Sequence, residues 1–538
     1  MFILSKDKKA KSSLQFMRNE LSHVNSNFTP IEEFKFGAFY LFWFSARPQD
    51  QLNVYTNGFI IGKSNFEEDY KPDSIEKIEF ELPESLHPLL QSTIIEIDGD
   101  DQLNIIPNGI TPIYYSEQNT VSDYQLLIAK YEDLKPDVVL VQTLCGIGYM
   151  PGNLTLFDSV QKIPYLFQLS LPSLTLTQIE AFTPERSNDD KLVQQLINVI
   201  PEKKDVSLSM SGGMDSRFVL GILLKKGISP ELVTMKGNEL EIVQNLSKAL
   251  NLKLEIKKST HVNAYDYSLM TDGRIYFRGG NYSQMVNSFH PNKLLYNGLS
   301  ILPMNENSFA SAWKKPGKLE TIYEDLIDYA LIQRVPDFGF QSFTSPVSKA
   351  DMKSFLSQKL SFGKNYFKFK TRKQWGIWFY HLHRGLTWTP AHLADLSFYI
   401  YPVFILSDKK ASEIGISSTA FENFNKERLR KMNQKLFKTA RIDYSDRRKF
   451  GSQSSFILPF SKIYNEYFRK FFKRFQQLKK DPSQNNNNWF EEVKGSQAET
   501  FRNYFKEDFK TTLSSQQTRF NEKRTAVTLN HILLFLEK

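Results

Sequence analysis

Ser211-Gly212-Gly213-Met214-Asp215-Ser216 brings two hydroxyls, two glycines and a carboxylate into one short segment. An apolar run, Val206 to Met210, precedes it, and a second, Phe218 to Leu224, follows. The string therefore reads as strand, tight turn, helix. A helix N-terminus carries backbone N–H groups with no intrahelical acceptor and the positive end of the helix dipole, which suits a phosphate. Gly212 and Gly213 would let the backbone approach such a ligand closely. Ser211 and Ser216 add hydroxyl donors. Asp215 alone would repel phosphate; it makes sense as a ligand to Mg²⁺, which bridges carboxylate and phosphate oxygens. A plain strand–turn–helix corner uses the same residue types. The complete string between two apolar runs is what favours a nucleotide.

The elements around this loop set where it sits. From residue 205 the pattern alternates: a strand to Met210, a helix to Lys226, and a strand over Glu231 to Met235. A helix from Glu239 to Leu250 and a strand from Lys253 to Ile256 come next. Such alternation predicts a parallel α/β sheet. Beyond Trp313 the chain reads as mainly helical, over Leu319–Leu331, Trp375–Arg384 and Lys426–Phe437. Residues 1–180 read mostly as short strands and turns, and suggest layered antiparallel sheets. Strands are expected over Phe36–Phe44, Gln91–Ile97, Ile113–Tyr115 and Tyr165–Leu171. The polar stretch Phe182–Asp190, followed by a helix over Lys191–Ile200, marks a boundary. It divides the chain into 1–185 and 186–538.

The chain has 538 residues, enough for two to four domains at about 100–200 residues each. Its 41% apolar and 24% charged content is that of a globular protein. No apolar run reaches the roughly 18 residues of a membrane span. Met1-Phe2-Ile3-Leu4-Ser5-Lys6 lacks the pattern of a signal peptide. One cysteine, Cys145, excludes an intrachain disulfide and a cysteine-based zinc cluster. These features give a cytoplasmic expectation. The net charge of +9 is diffuse. Its densest clusters, Arg469–Arg474 and Arg447–Lys449, read more simply as solvated helix and turn faces than as a nucleic-acid surface. Asp481–Asn488 is a low-complexity loop.

The Ser-Gly-Gly-Met-Asp-Ser string resembles the pyrophosphate loop of the ATP pyrophosphatase group, and it lacks the Gly-Lys-Ser/Thr of a Walker loop. With a β-rich first half and a helical C-terminal part, the chain resembles the asparagine synthetase family in its broad sense. That family includes β-lactam synthetases and lasso-peptide cyclases. Asn108-Gly109-Ile110-Thr111-Pro112-Ile113-Tyr114-Tyr115 is similar to a family turn and strand, with Ile105 where an arginine usually opens the motif. Gly148 to Phe157, followed by Val160-Gln161-Lys162-Ile163-Pro164, is similar to another structural motif of the family. The resemblance implies an Ntn-type layered antiparallel domain over 1–185, related to class II glutamine amidotransferases. Over 186–538 it implies a parallel sheet of the adenine nucleotide α-hydrolase kind with a helical extension. The nucleophile of those amidotransferases is an N-terminal cysteine. Here Phe2 follows Met1, and Cys145 lies in an apolar run that reads as core, so no glutaminase is expected.

The same resemblance carries Ser211, Gly212, Gly213, Asp215 and Ser216 to pyrophosphate and Mg²⁺ binding, with Asp215 the metal ligand. Ser209 and Met235, at strand ends, would meet adenine, and Asn297 and Gly298 would contact ATP. Leu299 and Leu302 stand where the family has a glutamate and a second Mg²⁺-binding aspartate; a small insertion would bring Asn305 and Glu306 there. Lys449 resembles a late lysine that neutralises charge on the adenylate or pyrophosphate; a solvent-exposed basic turn is the alternative. The Lys426–Arg430 segment reads as a structural helix start. Asp272 reads as a turn-forming Asp-Gly or as a pocket or metal residue. The implied activity is an ATP-dependent amide-forming ligase with ATP and Mg²⁺ as cofactors. It would join a small-molecule or peptide carboxylate to an amine, with no nucleic acid or membrane span involved; a homodimer is compatible with this. A non-catalytic relative serving as a scaffold, and an adenylating enzyme acting on tRNA, are the alternatives.

Overall fold

The computed structural model describes residues 1–24, 28–46, 50–63, 91–99, 102–108, 111–185, 188–202, 205–236, 239–257, 263–277, 294–298, 318–332, 343–361, 364, 367–392, 394–405, 408–417, 427–436, 499–505 and 520–538. Two antiparallel sheets occupy its first part. Strands β1 (Phe2–Ser5), β2 (Glu32–Phe36) and β3 (Phe39–Trp43) open the first sheet. Strands β4 (Asp50–Tyr55), β5 (Gly58–Lys63), β6 (Ser92–Ile97) and β7 (Leu103–Asn108) form most of the second. The chain returns to the first with β8 (Tyr114–Ser116), β9 (Val121–Ser122) and β10 (Val160–Lys162), then to the second with β11 (Phe167–Leu171) and β12 (Thr175–Gln178). In β11, Phe167, Leu169 and Leu171 are buried while Gln168 and Ser170 are not, as the two-residue period of a strand requires.

Two expectations need correction. The apolar run Phe36–Phe44 is not one strand: Gly37, at φ +52°, turns the chain back, and β2 pairs antiparallel with β3. Apolar content alone does not mark a hairpin; the glycine's left-handed backbone does. The first part also holds three helices, α1 (Ala10–Leu21), α2 (Gln125–Glu132) and α3 (Val138–Ile147). Asp137 starts α3, its carboxylate accepting from the N–H groups of Val139 (2.8 Å) and Leu140 (3.0 Å), and Gly148 at φ +90° ends it. Cys145 is buried in α3, in keeping with the core reading.

The second part opens with α4 (Asp189–Asn198), capped by Asn188. Strands β13 (Val206–Ser209), β14 (Glu231–Met235), β15 (Leu254–Lys257), β16 (Leu294–Asn297) and β17 (Tyr401–Val403) form one parallel sheet in the order β15-β14-β13-β16-β17. The chain winds outward from β13 to β15, then returns to build β16 and β17 on the other side, so the order reverses between β13 and β16. Helices α5 (Met214–Lys225), α6 (Leu240–Leu250) and α7 (Ala264–Met270) accompany it. Helices α8 (Ile322–Ala330), α9 (Lys349–Leu360), α10 (Arg372–Tyr380), α11 (Leu386–His392), α12 (Lys409–Ile416), α13 (Glu427–Leu436) and α14 (Phe520–Glu537) follow.

The cores do not divide at residue 185. The parallel sheet has its own, from Leu192 to Met432. The larger core joins residues 1–182 to Tyr267, Ile322, Trp378, Phe501 and Ile532. The ring of Phe182 lies 4.3 Å from that of Trp378. The late helices thus complete the core that the antiparallel sheets begin.

Candidate functional site at the head of the parallel sheet

Ser209 ends β13, in register with Val233 of β14 on one side and Asn297 of β16 on the other. Met235 ends β14. The carboxyl ends of three adjacent strands therefore bring Ser209, Met235 and Asn297 to one edge of the sheet, beside the reversal of strand order. Crevices at such reversals are where open α/β sheets bind ligands. The turn from β13 into α5 lies at this edge.

The turn is held by its own hydroxyls. The Ser216 hydroxyl donates to the Ser211 carbonyl at 2.9 Å and lies 2.9 Å from the Ser211 hydroxyl. The Ser211 N–H points to Ser216 Oγ at 3.3 Å, and the Gly213 N–H to Ser211 Oγ at 3.2 Å. Gly213 is the first residue before α5, with φ −76° and ψ 166°, and no side chain caps the helix. Asp215 falls in the first turn, where a negative charge meets the positive end of the helix dipole. Gly298 presses on the same turn: a Cβ there would lie 2.4 Å from Ser216 Cα and 2.5 Å from Ser216 N. Only glycine allows β16 to end this close to α5.

Sequence reasoning missed Glu239. Its carboxylate accepts from the Gly212 N–H at 3.2 Å. A donor suited to an oxyanion is thus met by an anion of the chain itself. The signal was an acidic residue at the start of the helix after β14, but nothing local tied it to a loop 27 positions earlier. Two supports on α13 were also missed. Asn433 Nδ2 donates to the Met214 carbonyl at 3.0 Å, and Leu436 fits against Gly221, where a Cβ would come within 2.8 Å of it. The structural reading of the α13 start is matched by Arg428, 5% exposed, whose Nε donates to Asp189 at 2.7 Å.

Asp272 is committed elsewhere. It sits in a turn at φ +57°, 1% exposed, and its carboxylate accepts from the N–H groups of Gln125 (2.9 Å) and Leu126 (3.0 Å). It caps α2 from a distant part of the chain, which is the turn reading extended by a structural duty. Burial pushes its carboxyl up to about 7, against the pull of Arg274.

The residues present suit a nucleotide's phosphates with Mg²⁺. The turn carries backbone N–H groups and two hydroxyls of the right kind, but each is already bonded to Ser211, Ser216 or Glu239, so a phosphate would have to exchange for those bonds; one carboxylate suffices for a magnesium ion that phosphates also hold. No trio of His, Cys, Asp or Glu poised for a metal occurs among the described residues. Lys449, Asn305 and Glu306, with Leu299 and Leu302, lie outside the described residues.

At the other end of the chain, β1 is central in the first sheet, between β9 and β3. The Met1 α-amino group donates to the Phe44 carbonyl at 2.9 Å and faces Asp50 and Asp123 at 3.7 and 3.9 Å. Met1 and Phe2 are each 1% exposed. Their thioether and phenyl side chains supply no nucleophile. Among the described residues no helix is long and apolar enough to cross a membrane. No family model matches the chain, and no curated protein sequence matches it.

Proposed function

We propose that this protein is an ATP-dependent amide-forming ligase that works through an acyl-adenylate and releases pyrophosphate, without a glutaminase of its own. The observation that carries the reading is the Ser211–Ser216 turn at the carboxyl end of a central parallel strand, beside the reversal of strand order. In this reading a substrate carboxylate attacks the α-phosphate of ATP, and pyrophosphate leaves toward the turn. An amine then attacks the acyl carbonyl, and AMP departs. In this reading the backbone donors of the turn and the Ser211 and Ser216 hydroxyls exchange their bonds within the chain for the leaving phosphates. Asp215 would hold Mg²⁺, whose charge offsets that of the phosphates. Ser209, Met235, Asn297 and Gly298 shape the nucleotide side of the crevice. Lys449 is assigned to charge neutralisation from its sequence motif alone. The side chains work by positioning and by charge compensation, because adenylation already supplies the leaving group. Calorimetric titration with Mg·ATP tests this: the intact protein binds, and Asp215→Ala loses about tenfold or more in affinity. Undiminished pyrophosphate release by Asp215→Ala overturns the reading.

One observation favours a second reading, a non-catalytic relative that serves as a binding partner. Glu239 already takes the Gly212 donor. That reading predicts no binding of Mg·ATP by the intact protein, so the same titration separates the two.

A further inference from the structure

Asn433 is fully buried in α13, beside Leu429 and Met432 of the same helix. Asparagine is a poor residue for a helix interior, and a leucine would pack there without polar atoms to satisfy. The amide is only half satisfied. Its Nδ2 donates to the Met214 carbonyl at 3.0 Å, while its Oδ1 is buried with no hydrogen-bond partner. Turning the amide over would set two oxygens against each other, so this is its better orientation. A buried acceptor left unpaired costs stability. What Asn433 provides against that cost is one donor at one carbonyl, 219 positions earlier in the chain. The helix is held where that donor falls. Arg428 pairs with Asp189 at 2.7 Å toward its start, and Leu436 lies so close to Gly221 that a Cβ there would come within 2.8 Å of it.

The carbonyl it meets is a particular one. Met214 is the first residue of α5, so its carbonyl belongs to the Met214–Asp215 peptide at the head of that helix. In a trans peptide the C=O and N–H point in opposite directions. The Asp215 N–H therefore points out of the head of α5, as the first N–H groups of a helix do. A donor at the carbonyl polarises the peptide and makes the N–H across it a stronger donor. It also fixes the plane of that peptide, and with it the point from which the Asp215 side chain leaves the turn. An apolar side chain at this position would fill the same space and do neither.

We propose that Asn433 is a positioning residue for the phosphate end of the turn, its amide holding the Met214–Asp215 peptide and strengthening the Asp215 N–H as a donor to phosphate. The inference rests on the nucleotide reading and adds to it a residue from a distant helix. The full chain and its Asn433→Leu variant test it, by isothermal titration with Mg·pyrophosphate beside urea unfolding. Leucine is close to asparagine in size and removes the unpaired oxygen together with the donor. The urea midpoint is therefore expected to be unchanged or higher, while affinity for Mg·pyrophosphate falls about 3- to 10-fold, the worth of one hydrogen bond. A merely structural role would move the two together. In ¹⁵N-aspartate-labelled protein without ligand, the Asp215 amide proton is expected to move upfield in the variant. Should leucine misfold, Asn433→Ala removes the same donor without adding bulk and is judged on the same affinity and amide shift. Undiminished affinity in the variant, or a loss of affinity that tracks a fall in midpoint with the Asp215 amide unmoved, overturns this inference alone. Failure of the unmutated protein to bind Mg·pyrophosphate overturns the nucleotide reading and this inference with it.

Discussion

Glu239 makes the Ser211–Ser216 turn a competed site, because any oxyanion reaching the Gly212 N–H must displace a carboxylate that already accepts from it. Glu239→Ala is therefore expected to tighten Mg·pyrophosphate binding by about 3- to 10-fold, the worth of one hydrogen bond plus a removed like charge. Isothermal titration at fixed ionic strength measures it; weaker binding would mean that Glu239 serves the ligand instead. At this scale the sequence was informative where chemistry is local. The Ser-Gly-Gly-Met-Asp-Ser string announced its turn because its hydroxyls satisfy its own backbone within five positions. Glu239 and Asn433 escaped because each reaches the turn from a separate helix. Asp272 was legible as a turn but not as a cap, since its partners are 146 and 147 positions away.

Helices α2 and α3 owe their starts to single carboxylates. Asp272→Ala strands two buried N–H groups at the head of α2 and should cost about 2–3 kcal/mol, read from urea midpoints; Asp272→Asn, which keeps one acceptor, should recover part of it. An unchanged midpoint in the alanine variant would show that water replaces the cap. The π-helical turn His381–Gly385 gives a pH dependence. Burial, then the Lys162 charge, holds His383 at about 3 in the folded protein, below its ordinary value of 6.5. The unfolded chain therefore binds more protons between those values. The stability from this group is complete above pH 6.5 and is lost as pH falls toward 3. Ring ¹⁵N shifts should report a neutral Nε2–H tautomer for His383 at pH 5, because the Tyr323 hydroxyl beside Nε2 spends its own proton on the Leu360 carbonyl; protonation there would refute the assignment. The π turn itself was not legible: Trp375–Arg384 reads as one helix, whereas the α-helix ends at Tyr380 and the π turn runs from His381 to Gly385. Strands β13, β14 and β15 were legible as short runs alternating with helices, whereas β16 and β17 were not, and β17 falls in a stretch that reads as helical. The β2–β3 hairpin was not legible either, because Phe36 at the end of the charged strand β2 adjoins the apolar strand β3 across the turn and joins it into one apolar run.

Across the whole molecule, the boundary near residue 185 separates the sheets but not the cores. Tyr504 donates to the Pro136 carbonyl at 2.7 Å, Gln142 Nε2 to Ser345 O at 2.8 Å, and Trp378 packs on Phe182. A fragment of residues 1–185 should therefore expose large apolar surface and bind a hydrophobic dye without cooperative unfolding, whereas the intact chain unfolds cooperatively. A sharp two-state transition from the fragment would show that the antiparallel layers are self-sufficient. Composition and periodicity could announce two kinds of sheet, but not that late helices finish the early core, because that information lies in pairings hundreds of positions apart. The cap on α2 carries a consequence for synthesis. Asp272 leaves the ribosome 147 residues after Gln125, roughly 7–30 s later at ordinary elongation rates. During that interval the head of α2 emerges without its acceptor. The first half of the nascent chain must then wait, or be shielded by chaperones, until the second half supplies the missing carboxylate.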